Sequence, residues 1–165
     1  GSFVDFKLLG YKGVNKYSNS IGQFTASISL YKNLDGRKKF ILADRFGGGV
    51  TVGQPAFYQA LYLGGQGNLQ GYRQFRFAGE HIFYNNLELR AKLGDLVSYV
   101  LPGQIGLTGF WDVGRVWKRN EASQTWHHGV GGGVYFAPAS LTVVRFVMGH
   151  SSEGWYPYFS LNFRY

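Results

Sequence analysis

Hydrophobic and polar residues alternate with a period of two along most of the chain. This is the repeat of a β-strand, in which successive side chains point to opposite faces. Gly22, Phe24, Ala26, Ile28 and Leu30 share one face, and Gln23, Thr25, Ser27, Ser29 and Tyr31 share the other. Leu87, Leu89, Ala91 and Leu93 oppose Asn86, Glu88, Arg90 and Lys92 in the same way. Near the C-terminus, Trp155, Pro157, Phe159, Leu161, Phe163 and Tyr165 oppose Tyr156, Tyr158, Ser160, Asn162 and Arg164. The pattern predicts eight strands, near residues 3–14, 20–32, 39–53, 78–93, 104–117, 126–136, 140–149 and 155–165. Asp44 and Arg45 interrupt the third and predict a bulge there. Turn formers separate the strands at Asn33–Gly36, Pro102-Gly103, Ala137-Pro138-Ala139 and Ser151–Gly154. The connection over 54–77 is far longer than the others, a length that usually marks function.

Alternation does not say which face meets water. In a soluble barrel, such as a lipocalin-like carrier, the apolar face turns inward. In a membrane barrel it turns outward to lipid and the polar face lines the lumen. The predicted strands mostly run 10 to 14 residues, nearer the ~9–11 of a tilted membrane strand than the ~5–6 of a soluble one. Trp111, Trp117, Trp126, Trp155 and Tyr165 gather toward strand ends as an interfacial girdle would. Glu88, Arg90 and Asp112 stand in mid-strand on the polar side. An even number of strands can close and leave no free edge. The expectation is therefore an all-β, antiparallel transmembrane β-barrel of eight strands, forming a single domain over 1–165.

Composition narrows the chemistry. Charged residues are only 16% of the 165 and aromatics 18%, with 25 glycines, about twice the average share. There is no cysteine, so disulfides and thiolate metal sites are excluded. The net charge is +8, but the basic residues are dispersed and the densest cluster is Arg37-Lys38-Lys39 at a predicted turn. No phosphate-tracking stripe results, and nucleic acid is not an expected partner. No apolar run reaches the ~18 residues of a membrane helix. Gly1-Ser2 resembles a tag remnant.

The glycine-rich stretch 62–79, YLGGQGNLQGYRQFRFAG, looks at first like a phosphate cradle. A dinucleotide fingerprint needs a helix after its glycines, and a period-two strand follows Gly79 instead. These glycines are read as permitting a compact turn close to the barrel wall. His127 and His128 are adjacent, so on a strand they face opposite ways and cannot share a metal. Gly149–Gly154 contains a His and two Ser, but it is not G-x-S-x-G and reads as a hairpin tip. Glu88, Arg90 and Asp112 read as mutually neutralising charges, with Arg145 and Arg164 joining them and Arg115 at the outer interface. The run Gly131–Gly133 reads as a barrel corner or as room for neighbouring aromatic rings, and its sharper reading is a weak seam.

One ordered set of motifs goes further. Gly64-Gly65, Leu69-Gln70-Gly71-Tyr72-Arg73, Phe77-Ala78-Gly79, Asn86–Arg90 and Gly109–Trp117 follow one another along the chain. Their order resembles the outer-membrane assembly-factor superfamily, the BamA/TamA-like proteins and bacterial surface antigens, over about residues 40 to 165. The resemblance is to the C-terminal barrel half of a family that generally has sixteen strands behind soluble periplasmic domains. It implies that 54–77 is a long extracellular loop, like the family's sixth, folded back into the lumen. It further implies a lock made of Gly71, Tyr72, Arg73, Phe110, Asp112 and Gly114, and a C-terminal recruiting signal at Phe163 and Tyr165. The family's tip arginine falls where this chain has Gln70, so either Arg73 or Arg76 reaches Asp112 or the lock is weakened.

The implied function is non-enzymatic: inserting or translocating outer-membrane proteins, in a minimal or truncated form without periplasmic domains. The competing expectation is an anchor barrel or lipid-remodelling module that tethers a soluble domain. Neither implies a cofactor, metal or catalytic residue. The partners implied are outer-membrane lipids and nascent barrel proteins, with a homodimer left open, and the localisation implied is the bacterial outer membrane.

Overall fold

The computed structural model describes residues 1–13, 20–36, 39–53, 55–97, 102–119, 124–138 and 142–163. The predicted basic turn at Arg37 and Lys38 lies outside them, as do Arg164 and Tyr165. Eight strands build the main sheet: β1 (Ser2–Tyr11), β2 (Ile21–Asn33), β3 (Phe40–Gly53), β6 (His81–Leu96), β7 (Gly103–Trp117), β8 (His127–Pro138), β9 (Thr142–Ser151) and β10 (Gly154–Phe163). Each pairs antiparallel with the next, in the order β1-β2-β3-β6-β7-β8-β9-β10. The long connection carries a 3₁₀ turn at Phe57–Gln59 and two short strands, β4 (Leu61–Leu63) and β5 (Phe77–Gly79), paired with each other.

Cross-strand register turns the local alternation into two continuous faces. Val4, Ile28 and Phe46 face one another across β1, β2 and β3 on the apolar side. On the polar side a single row runs Phe3, Ser29, Arg45, Asn86, Asp112, Gly129 across six strands. The sheet curls so that the polar side is concave. Phe3 and Asp5 of β1 line the same cavity of about 1320 Å³ as Tyr135 of β8 and Arg145 of β9. The apolar side is convex and open, with Phe24, Val50, Leu89, Leu107, Phe146 and Phe159 all exposed. The core is consequently not between two sheets. It sits where the long loop packs into the concavity, at Leu63, Leu69 and Tyr72 with Phe77, Tyr84 and Val116 around them.

One expectation needs correction. No bulge interrupts β3 at Asp44 and Arg45, whose register with both neighbours is continuous. The two side chains leave on opposite faces and each finds a partner. Asn85 donates to Asp44 at 2.5 Å on the convex side, and Arg45 donates to Asn86 at 2.7 Å on the concave side. With both groups satisfied, the backbone has no cause to buckle. The register shift falls instead between Lys92 and Gly94, toward the opposite end of β6.

Closure is a separate matter. An even strand count allows a closed barrel, and among the described residues β1 and β10 are the two free edges of an open sheet. A physical reason is visible in the concavity. Eight strands enclose little more than their own side chains, and this interior already holds the β4–β5 sheet. The glycine run Gly131–Gly133 is not at an edge, because β8 is paired on both sides there. A Cβ on Gly131 would lie 2.6 Å from the Phe110 ring, so that glycine makes room for an aromatic neighbour.

Candidate functional site

The loop after Gly53 turns inward rather than away from the sheet. Leu61 and Leu63, alternate residues of β4, are both buried. Leu63 lies against Gly114, where a Cβ would come within 2.7 Å of its methyl. Gly65 and Leu69 then exchange two backbone hydrogen bonds, at 2.8 and 3.1 Å, closing a small turn. Asn68 braces it by accepting from the Gly64 amide at 2.9 Å and donating to the Tyr62 carbonyl at 2.9 Å. The turn presents residues 69–73 as a tip directed at the concave wall.

The wall receives that tip with groups from many strands. The Gln70 amide donates to Asp112 Oδ2 at 2.8 Å, and Asp112 is 3% exposed. The Gly71 amide donates to the Tyr158 hydroxyl at 2.7 Å, and that hydroxyl donates to the Tyr72 carbonyl at 2.7 Å. Ser151 Oγ donates to the Gly71 carbonyl, and the Tyr72 hydroxyl donates to the His128 carbonyl at 3.2 Å. Behind the tip, Asn86 donates to the Asn68 carbonyl at 2.7 Å and Arg45 donates to the Gly67 carbonyl. Gln66 reaches the Phe159 carbonyl at 3.1 Å. β3, β6, β7, β9 and β10 all hold one short segment of backbone, and β8 accepts from its Tyr72 side chain.

Space matters as much as polarity at this seat. Gly71 has φ +97°, a left-handed conformation that glycine adopts without strain, and its Cα side faces the His150 carbonyl. A Cβ on Gly129 would overlap the Gln70 carbonyl. The wall is bare of side chains where the tip backbone presses on it.

Among the predicted lock residues, Gly71, Tyr72 and Asp112 meet at this seat, Gly114 lies under Leu63, and Phe110 stands further along β7 beneath Arg145. Arg73 does not join them: its side chain is exposed. Arg76 turns away as well and pairs with Glu153 at 2.6 Å. The acceptance of a tip donor by Asp112 thus rests on a backbone amide, and no arginine side chain of the tip is needed. The Gln70 side chain takes a different part, accepting from Arg145 Nη2 at 3.2 Å. Arg145 also lies 3.4 Å from Glu88 and above the Phe110 ring. Glu88 pairs with Arg90 at 2.6 Å and accepts from Thr108 at 3.0 Å. Asp112 is therefore separate from the Glu88–Arg90–Arg145 group that the sequence placed it in. A guanidinium at position 70 would have to share this space with Arg145.

Several contributors were not singled out from sequence. Tyr158, Ser151 and Arg45 each sit on the polar parity of their strands, which was the available signal. What was missing was the knowledge of which inward residue lies under the tip. His127 and His128 do face opposite ways: His127 stacks on Phe77 at 3.8 Å between ring centroids, while His128 lies beside Trp111. Phe163 ends β10 opposite Thr142.

A family model described as the Omp85 superfamily domain matches residues 1–149. The chain belongs to this superfamily. Its members are outer-membrane proteins of assembly and translocation, and the match begins well before the motifs at 64–117 that carried the resemblance. No curated protein matches the sequence.

Two outcomes follow for the Omp85 tip. Asp112→Ala removes a buried acceptor and strands the Gln70 amide. It should lower stability by about 1–3 kcal/mol, read as a lower midpoint of heat modification in detergent, whereas Arg73→Ala should leave the midpoint unchanged. Gly129→Val places atoms where the Gln70 carbonyl lies, so residues 66–76 should become cleavable by added protease while the strands stay resistant.

Proposed function

We propose that this Omp85 chain is the membrane-embedded, eight-stranded part of an outer-membrane barrel, equivalent to the C-terminal half of the family barrel, and that it assists insertion of nascent barrel proteins without catalysing a covalent reaction. The observation that carries this reading is the loop tip fastened through its backbone to Asp112 and Tyr158 inside a polar concavity, in a chain matched to the superfamily over residues 1–149. Such a tip fixes the curvature of the wall, and it leaves the ends of the sheet, β1 and β10, able to offer backbone donors and acceptors to an incoming strand. Outer-membrane lipid covers the convex face in this reading. The loop end lies outside, where Trp117 and Trp126 meet edge-on, Arg115 lies over Trp117 at 4.8 Å, and Trp155 stands beside His150.

The serine-hydrolase reading of 149–154 finds no support in the geometry. Ser151 is buried and donates to the Gly71 carbonyl, while the neighbouring His150 faces the convex side. A nucleophile and its base need to meet within hydrogen-bond reach.

The test is insertion of an unfolded client barrel into liposomes with and without the purified chain. Faster client folding over empty liposomes is the expected result. A rate equal to that of empty liposomes would sink the insertion role and leave an anchor as the better description. The lipid-facing assignment has a separate check: Leu87→Arg, on the convex face, should cost about 2–4 kcal/mol near mid-bilayer. It should therefore depress folding yield in liposomes more than in short-chain detergent.

A further inference from the structure

Three features of the open sheet bear on how its edges are met. β1 and β10 are each ten residues long and run in opposite directions, so the two edges are matched in length and antiparallel. The apolar side chains of β1 are uncovered on both faces: Phe6 and Leu8 on the convex side are 73% and 76% exposed, and Phe3, facing inward, is 61% exposed. Within hydrocarbon an unpaired strand edge has no water to satisfy it, and each open donor or acceptor costs several kcal/mol. An edge partner is required.

The chain's own opposite edge is a poor candidate. Closing eight strands leaves an interior just wide enough for side chains. This interior holds the β4–β5 sheet and the tip, fastened at Asp112, Ser151 and Tyr158, and beside them a cavity of about 1320 Å³. Drawing β1 onto β10 would contract this cavity against the loop that supplies the apolar cluster of buried residues described, Leu63, Leu69 and Tyr72.

We propose that two copies of this chain join edge to edge, β1 of each against β10 of the other, and enclose one shared lumen. This rests on the membrane reading above. A two-fold axis satisfies both edges of both copies at once and leaves none open, as a closed isologous assembly must. It also gives each copy's tip its own wall, so neither loop has to move. Inward Phe3 then lies next to the inner face of the second copy's last strand. Pro157, midway along β10 and opposite Met148, has no backbone donor, and proline in a sheet belongs on edge strands. The joint between copies therefore lacks a hydrogen bond at Pro157, and that gap is where a client strand enters most readily.

The absence of cysteine makes the test direct. Convex-face positions of β1 (Val4→Cys, Phe6→Cys or Leu8→Cys) are placed in one preparation, and those of β10 (Leu161→Cys, Phe159→Cys or Trp155→Cys) in another. The two are folded together in liposomes and treated with a short bismaleimide. The expected result is a β1-to-β10 crosslink between differently marked chains at one register, with a detergent-solubilised protein mass of twice the 18.5 kDa of one chain. A doubly substituted chain that crosslinks within itself at single-chain mass would overturn the proposal in favour of self-closure. Single-chain mass with no crosslink of either kind would overturn it in favour of strands supplied by another segment. Extraction of the liposomes at alkaline pH separates the two levels. Protein that stays in the pellet yet gives either overturning result refutes the pairing alone, and protein that washes off refutes the membrane reading beneath it.

Discussion

The hydrogen bond from the Gln70 amide to the buried Asp112 carboxylate is the constraint on which the rest of the molecule turns. A curled sheet with an apolar convex face and a polar concave face has no conventional core, and nothing in strand pairing alone fixes how tightly it curls. The loop supplies what is missing. Its tip is held by donors and acceptors from β7, β9 and β10, and behind it Leu63, Leu69 and Tyr72 form the one apolar cluster of buried residues described. Asp112 can sit at 3% exposure because it is hydrogen-bonded, and the site stays specific because a backbone amide, with fixed geometry, is its partner.

The row through Ser29, Arg45, Asn86, Asp112 and Gly129 explains why the tip binds where it does. Residues directly opposite on neighbouring strands form a line across the sheet, and the loop backbone lies along that line. Arg45 and Asn86 hold its Gly67–Asn68 end, Asp112 its centre, and bare Gly129 admits the Gln70 carbonyl. The polar groups of one row thus act as a single surface, although they are spread over 100 residues of sequence. Glu88, Arg90 and Arg145 lie one, two and three rows away, and the group touches the tip only through the Gln70 side chain.

This arrangement also separates what was legible in the sequence from what was not. Strand positions and face parity were readable because they depend on a local period of two. Phe110, Asp112 and Gly114 are alternate residues of one strand, so their common direction followed at once. The partner of Asp112 was not readable, because Gly71 at φ +97° turns the chain there, Arg73 lies exposed, and the donor is a backbone amide that any residue at position 70 would carry except proline. Tyr158 and Ser151 were hidden for a different reason. Their parity was plain, but which inward residue of β9 or β10 lies beneath the tip depends on the cumulative register of strands that are far apart in sequence. Whether the eight strands close on themselves was not legible for a third reason: the even strand count is a property of the sheet, whereas the space needed inside is a property of the loop.

The exceptions on the convex face carry the same logic one step further. Asp44 and Asn85 place a polar pair among Leu30, Leu42, Phe46, Leu87 and Leu89, where hydrocarbon is expected in the membrane reading. Their mutual hydrogen bond lowers the cost of that position but does not remove it, since a carboxylate keeps lone pairs that one amide cannot fill. A wall stabilised mainly from inside can tolerate such a flaw outside. The loop ties β3 and β6 together from the concave side, where Arg45 and Asn86 hold its Gly67–Asn68 end. Local imperfection on the convex face and strong fastening on the concave face are therefore two consequences of one design, in which the sheet is held by what it encloses.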